Sequence, residues 1–333
     1  MQPWETTATE KARAEILGAL RNSEEAVSGQ ALSQQLGIGR NSVWKHVQAL
    51  RQMGYEIVGR TRQGYRLLSV PDTPYPYEIA HELRTHTLGR YAIYLPVTGS
   101  TNDVLRDLAK QGAPEGLVVV ADAQVSGRGR RGRVWESPVG GGLWVSVLLR
   151  PSLMTAQAPL LALLGAVAVA VAVRKETGLD ALVKWPNDVT IGGRKVCGIL
   201  VEMSAEAEVI HHLIIGIGLN VNLRRDQLPE EVRASATSVL EEYGARVSRV
   251  GLLRSILLEM ESRYDVLSRE GPQTLLEEKR TLSAVLGKEI DVITDSRRLR
   301  GLAVSVEDDG ALRVRLSDGQ EQLFYAGEVS VRG

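Results

Sequence analysis

A single cysteine, Cys197, stands among the 333 residues, so no intrachain disulfide can form and thiol usage fits a reducing cytoplasm. Aromatic residues make up only 5% of the chain, with one Phe. Charge of either sign is in balance: 40 Lys and Arg face 40 Asp and Glu. Affinity for a polyanion must therefore come from a local patch, not from net charge. No basic start followed by an apolar run opens the sequence, as a secretory signal would require. The most apolar stretch, residues 160–173, is short for a bilayer span and ends at Arg174-Lys175-Glu176, so it predicts a buried helix against a sheet and no membrane association. Several chemical signatures are missing too. There is no G-x-x-x-x-G-K-[ST] phosphate loop, no dinucleotide fingerprint and no G-x-S-x-G elbow. The five histidines (46, 81, 86, 211 and 212) lack zinc-ligand spacing. Such a chain is equipped to hold charged ligands, not to supply a nucleophile.

What is present is concentrated in residues 124–135, QVSGRGRRGRVW, where Arg128, Arg130, Arg131 and Arg133 alternate with Gly127, Gly129 and Gly132. Glycine lets backbone N–H groups approach a ligand closely, and arginine offers a planar fork for carboxylate or phosphate oxygens. An RG-rich run can also be a solvated loop or an RNA-binding tract. Here the flanks at 117–121 (LVVVA) and 143–149 (LWVSVLL) read as buried strands, so the loop interrupts a sheet.

The length predicts two or three domains, and the pattern gives an α+β multidomain chain divided at 1–70, 71–283 and 284–333. In the first, Ser28 is placed to cap a helix from Gly29 to Leu36, Gly37 turns the chain, and a second helix over 41–53 buries Val43, Val47 and Leu50. A two-stranded ribbon over 55–67 completes a winged helix-turn-helix. Between Gln35 and Arg66 six basic residues, Arg40, Lys45, Arg51, Arg60, Arg62 and Arg66, face one acid, Glu56. Gly29, Arg40, Asn41, Ser42, Trp44, Lys45, His46, Gln48, Arg60 and Arg62 are the candidate DNA contacts, although winged helices also serve as protein-interaction modules. Pro71, Pro74 and Pro76 read as a linker that no helix would tolerate. The last segment, with short strands at 289–293, 301–307, 312–316, 321–325 and 329–331, fits a small barrel.

In the middle segment, Lys184-Trp185-Pro186-Asn187-Asp188 puts Lys184 at a strand end, with a salt-bridged turn lysine as the plainer account. Arg194-Lys195 precedes the next strand. Ser100-Thr101-Asn102 opens an amphipathic helix, where a Ser or Thr most often serves as N-cap. Gly216-Ile217-Gly218-Leu219-Asn220 reads as a strand that permits close approach.

Taken in order, S-T-N at 100–102, Q-x-x-G-R-G-R-R-G-R-x-W at 124–135, K-W-P-N-D at 184–188, G-R-K at 193–195, G-I-L-V-E at 198–202 and G-I-G-L-N at 216–220 resemble the biotin protein ligases. With the winged helix in front, the chain is similar to the bifunctional bacterial type that also represses the biotin operon. The resemblance implies a central class II synthetase-like ligase fold followed by an SH3-like barrel. It also implies biotin, ATP and Mg²⁺, with biotinyl-5′-AMP as intermediate and corepressor. The implied partners are a biotin carboxyl carrier domain, operator DNA and a second copy of the chain.

By the same resemblance, Ser100, Thr101, Asn102, Gln124, Arg128, Gly129, Arg130 and Lys184 bind biotin. Arg130, Arg133, Trp135, Lys184, Asn187, Lys195 and Asn220 serve ATP. Lys184, Arg128 and Arg130 carry the chemistry, and no residue is assigned to a metal. Asp188 stays open between a structural turn and an acid supporting Mg²⁺. No Trp or Phe in 222–235 offers itself to adenine. Three rivals stand beside this reading. A lipoate ligase would share the fold and the adenylation chemistry, a pure ligand-sensing repressor would lack catalysis, and a plain ligase would carry an idle winged helix.

Overall fold

The computed structural model describes residues 2–60, 63–294, 297–325 and 327–331, with Arg60 by its backbone alone. The chain separates into two compact units, Met1–Thr73 and Pro74–Gly333.

The first unit holds α1 (Ala8–Arg21), α2 (Gly29–Leu36), α3 (Arg40–Gln52), β1 (Glu56–Arg60) and β2 (Gly64–Ser69). The sequence reading missed α1. Its signal was a capping box, in which Thr7 Oγ1 accepts from the Glu10 N–H while the Glu10 side chain returns to the Thr7 N–H. Only Ile16, Leu17 and Leu20 are buried along it, too sparse a stripe to draw notice. Ser28 caps α2 through the Ala31 N–H, and Gly37 ends it in the left-handed region. α3 buries Val43, Val47 and Leu50 as expected. Arg51 does not face outward freely, because its Nε donates to the Ile57 carbonyl at 2.7 Å and ties α3 to β1.

In the second unit Pro76 corrects the linker reading. It is the first residue of α4 (Pro76–Ala80), where its missing N–H has no intrahelical partner to lose. There follow β3 (Ala92–Thr98), α5 (Thr101–Lys110), β4 (Val118–Gln124), β5 (Gly142–Leu149), α6 (Ala158–Thr177), β6 (Ala181–Lys184), β7 (Asp188–Ile191), β8 (Arg194–Glu206) and β9 (Val209–Asn220). Then come α7 (Val239–Tyr243), α8 (Arg249–Glu270) and α9 (Gln273–Thr281). The seven strands form one sheet in the order β3-β4-β5-β9-β8-β7-β6, parallel only between β3 and β4.

At 20 residues α6 is longer than the apolar run that announced it, and by length and apolarity it could cross a bilayer. It lies instead in the core with Leu164, Val167 and Ala168 fully enclosed beside β8 and α8.

The chain closes with β10 (Glu289–Ile293), β11 (Arg298–Val306), β12 (Leu312–Leu316), β13 (Glu321–Phe324) and β14 (Glu328–Val331), an antiparallel sheet ordered β13-β12-β11-β10-β14. Its Ile290, Val292 and Leu312 join the same apolar cluster as Val183 and Val189 of the large sheet. The buried Trp185 indole donates to the Gly310 carbonyl, 3.0 Å away, in the turn between β11 and β12.

Candidate active site

One cavity of about 990 Å³ gathers the motifs of the middle segment, at the upper end of the 300–1,000 Å³ range of small-molecule sites. Its floor is built where β5, β9 and the start of α5 meet. Ser146 of β5 pairs across from Gly216 of β9. A Cβ at Gly216 would lie 2.5 Å from Asn102 Oδ1, so the glycine makes room for that amide. Ser146 Oγ lies 2.6 Å from Asn102 Oδ1 and 2.8 Å from Thr101 Oγ1, and Asn102 Nδ2 donates to Glu202 at 2.7 Å.

Ser100 corrects the capping expectation. It occupies the N-cap position of α5 but makes no side-chain cap bond. The Thr101 N–H and hydroxyl are satisfied from β4, by Gln124 Oε1 at 2.9 and 3.1 Å. Gln124 Nε2 in turn donates to Ser137 at 3.0 Å. Sequence reasoning missed Ser146, Ser137 and the role of Asp103. The signal for Ser146 was present: a hydroxyl inside the buried run LWVSVLL must find a partner.

Beyond the floor lies an aromatic platform. Gly198 of β8 and Gly218 of β9 are register partners, and Trp135 covers both. A Cβ at Gly218 would come within 2.7 Å of the indole and one at Gly198 within 3.3 Å. The Trp135 Nε1–H is buried and has no hydrogen-bond acceptor among the described residues. Trp135, at the end of the arginine-glycine loop, is thus an aromatic side chain lining this cavity, whereas residues 222–235 hold no Trp or Phe. The Lys195 ammonium sits 5.3 Å from that ring and 2.7 Å from Asp188 Oδ1.

Lys184 ends β6 and pairs in register with Asp188 across the turn. Asp188 is taken by Lys195, and among the described residues the Lys184 side chain has no hydrogen bond or ion pair. The plainer account of a salt-bridged turn lysine therefore fails for Lys184, because the acid of that turn is paired with Lys195 of β8. Asn187 is buried. Its Nδ2 donates to the Ile199 carbonyl and its Oδ1 accepts from Arg130 Nη1 at 3.1 Å. Burial lowers the Arg130 pKa, with Arg131 adding to the effect and Asp188 opposing it. Asn220, also buried, donates to the Thr237 carbonyl at 3.0 Å.

The arginine-glycine loop forms the rim. It is closed on itself by the Gly129 N–H bonded to the Arg133 carbonyl at 2.7 Å, with Arg131 in the left-handed region. Its arginines are paired, not free. Arg128 grips Asp103 through two bonds of 2.6 and 2.7 Å, and Arg133 meets Glu328 of β14 at 2.5 Å. The bonds from Arg128 hold the Asp103 carboxyl below the usual carboxylate range, against the opposing effect of burial.

In the first unit, Arg40, Asn41, Trp44 and Lys45 are exposed along α3, Trp44 to 54%. Ser42 and Gln48 are half-buried, and Gly29 opens α2. His46 is half-buried, and its pKa is lowered by burial and then by Arg13 of α1, so it is not a fully outward residue. The side chain of Arg60 and all of Arg62 lie outside the described residues.

Three family models match the chain. Residues 94–220 match the biotin/lipoate A/B protein ligase family, residues 13–66 an HTH domain and residues 285–332 the biotin protein ligase C-terminal domain. The bifunctional ligase/repressor BirA of Bacillus subtilis is 40% identical over 304 residues, covering 91% of this chain and 93% of that protein. BirA of Escherichia coli is 30% identical over 316 residues, covering 94% and 95%. Among solved structures, the biotin protein ligase of Aquifex aeolicus in complex with biotin and ATP superposes with a TM-score of 0.64 at 30% identity, covering 72% of this chain and 98% of that one. With identity at this level across nine tenths of both chains, the protein belongs to the family of the bifunctional ligase/repressor BirA proteins.

Proposed function

We propose that the cavity activates biotin with ATP and passes it to a lysine of a biotin carboxyl carrier domain, and that the product of the first step governs DNA binding by the winged helix. A biotin carboxylate oxygen attacks the α-phosphorus of ATP, giving biotinyl-5′-AMP and pyrophosphate. The carrier lysine amine then attacks the acyl carbon, and AMP leaves. Both nucleophiles are substrates, so the part left to the cavity is to hold and align them with its cations and amides.

The observation that carries this proposal is Lys184, an ammonium with no partner among the described residues, in a cavity whose other cations are engaged. A compact charge at that point can bridge the carboxylate and the α-phosphate and stabilise the charge that develops between them. Thr101, Asn102 and Gln124 hold the uncharged end of biotin, beside Ser100. Gly129 allows close approach, and Arg128 and Arg130 cover the carboxylate and phosphate, keeping the reactive anhydride from water. Trp135 presents a face to the adenine, Lys195 serves the phosphates, and Arg133, Asn187 and Asn220 complete the nucleotide's surroundings.

Mg²⁺ fits this donor set only as a companion of the nucleotide. Among the described residues no three acidic, His or Cys side chains gather, and Asp188 is already paired with Lys195. Carried in with the nucleotide, it would supply charge neutralisation at the phosphates.

The exposed Arg40, Asn41, Trp44 and Lys45 suit a major groove, and a two-fold operator would require two copies of the chain in the cytoplasm. The test has two parts. Formation of biotinyl-5′-AMP from biotin and ATP, followed by label transfer to a carrier domain, supports the ligase; no adenylate refutes it. Binding to DNA upstream of biotin synthesis genes is then measured at fixed salt with and without both substrates. Tight binding only with both substrates supports repression through the intermediate. Equal, weak, salt-sensitive binding leaves a ligase alone.

A further inference from the structure

Asp103 takes no part in the chemistry above, yet it holds the first arginine of the loop. Its two carboxylate oxygens meet Arg128 Nη2 and Nη1 at 2.6 and 2.7 Å, fork against fork. Arg106, three residues along α5, donates to the same carboxylate at 2.7 Å and to Glu202 at 2.9 Å. Glu202 also accepts from Asn102 Nδ2 at 2.7 Å and stands 3.9 Å from Arg128. Two carboxylates and two guanidinium groups thus form a charge-neutral quartet. It joins the rim of the cavity to the floor amide through one acid.

The arrangement has a consequence for ligand binding. A guanidinium has five N–H donors, and Asp103 occupies two directions of the fork, leaving donors for a second anion. An arginine on a glycine-rich loop would otherwise lose considerable rotamer freedom when it grips a ligand. Asp103 stands in the first turn of α5, where the helix also holds Thr101 and Asn102, so fixing Arg128 to it fixes the rim relative to the floor. Arg106 keeps that carboxylate in place and is itself held by Glu202.

We propose that Asp103 is a positioning residue that holds Arg128, within the Asp103–Arg106–Glu202 network, in the orientation that receives the biotin carboxylate. The proposal rests on the assignment of Arg128 to that carboxylate. It predicts that the loop arginine is prepared before substrate arrives, and that losing the tether weakens retention of biotin and of the adenylate more than it slows their reaction.

The experiment compares wild type with Asp103→Asn, which preserves shape while removing the charge, with Asp103→Ala and with Asp103→Glu. The readouts are KM for biotin and for ATP, kcat for adenylate formation, the rate of adenylate release and the thermal midpoint. For Asp103→Asn, KM for biotin and the release rate should each rise about tenfold to thirtyfold, while kcat stays within about twofold. KM for ATP and the thermal midpoint should change little, and Asp103→Glu should recover part of the loss. In an Arg128→Ala background the same substitution should have no further effect. Unchanged KM and release in Asp103→Asn, tighter retention, or an equal loss without Arg128 each overturns the positioning role. If wild type forms no adenylate, the ligase assignment fails first and takes this role with it.

Discussion

The rim and the floor of the cavity are both polar, but they are built in opposite ways. The floor groups, Ser146, Thr101 and Asn102, are buried and bonded to one another at fixed distances on strands and a helix. The rim consists of arginines on a glycine-rich loop, of which Arg128 and Arg133 are exposed and ion-paired, to Asp103 and to Glu328. A buried hydrogen-bonded network specifies shape, because a wrong partner leaves polar groups unsatisfied. A half-exposed ion pair contributes little stability, so its worth at the rim lies in orienting the guanidinium. On the proposed function, the contrast would assign selectivity for the neutral part of the substrate to the floor and the handling of its charge to the rim.

Substitutions can break that contrast. The largest effect should fall on Lys184: Lys184→Ala should lower adenylate formation about 10²–10³-fold with an unchanged thermal midpoint, as loss of one preorganised charge contact does. Near-normal turnover in a pyrophosphate-release assay would refute the assignment.

Lys279 supplies the control for what an unpaired lysine means. It is buried in α9 away from the cavity, and burial alone pulls its pKa down to about 7. The unfolded chain then holds more protons between pH 7 and about 10.5, so stability rises with pH across that window and is lost as pH falls toward 7. Lys279→Met should flatten the dependence and raise stability at pH 7 without touching KM; an unaltered pH profile of denaturant midpoints would show the lysine to be hydrated.

A smaller effect is expected at the platform. Gly218→Ala forces a Cβ against the Trp135 indole and should raise KM for ATP about tenfold, the size of one lost stacking contact. On the floor, Ser146→Ala should destabilise the chain by about 1–3 kcal/mol in urea unfolding, since Asn102 Oδ1 loses its donor. Smallest is the rim pair: Arg133→Gln removes a bond to Glu328 from an exposed position and should change stability by less than about 1 kcal/mol. A loss as large as that of Ser146→Ala would erase the distinction between rim and floor.

Much of this architecture was legible in the chain. α2, α3 and the wing strands follow from Ser28, Gly37 and the spacing of Val43, Val47 and Leu50, which are local signals. The five C-terminal strands were readable from turns such as Asp308-Asp309-Gly310, because a short strand between tight turns needs no distant information. α1 went unread, since its apolar residues are few and its capping box stands at a chain end. Pro76 misled because a proline that ends one helix can begin another. In the site, the motifs named the participants but not their partners. That Lys195, not Lys184, takes Asp188, and that Gln124, not Ser100, satisfies the start of α5, depends on strands brought together across the sheet. No spacing rule reports such contacts.

The bond from Trp185 to Gly310 bears on how this chain can change over time. The residue beside Lys184 is anchored in a turn of the C-terminal sheet, and the two sheets share one apolar cluster. The last fifty or so residues are thus no detachable module that recombination can exchange at will. A graft from a distant relative would arrive with a turn shaped for a different tryptophan, and the lysine next to it would inherit the error. Substitutions in the 308–310 turn and in the 184–188 turn should therefore be tolerated together more readily than apart, a coupling that chimeras of related chains would expose.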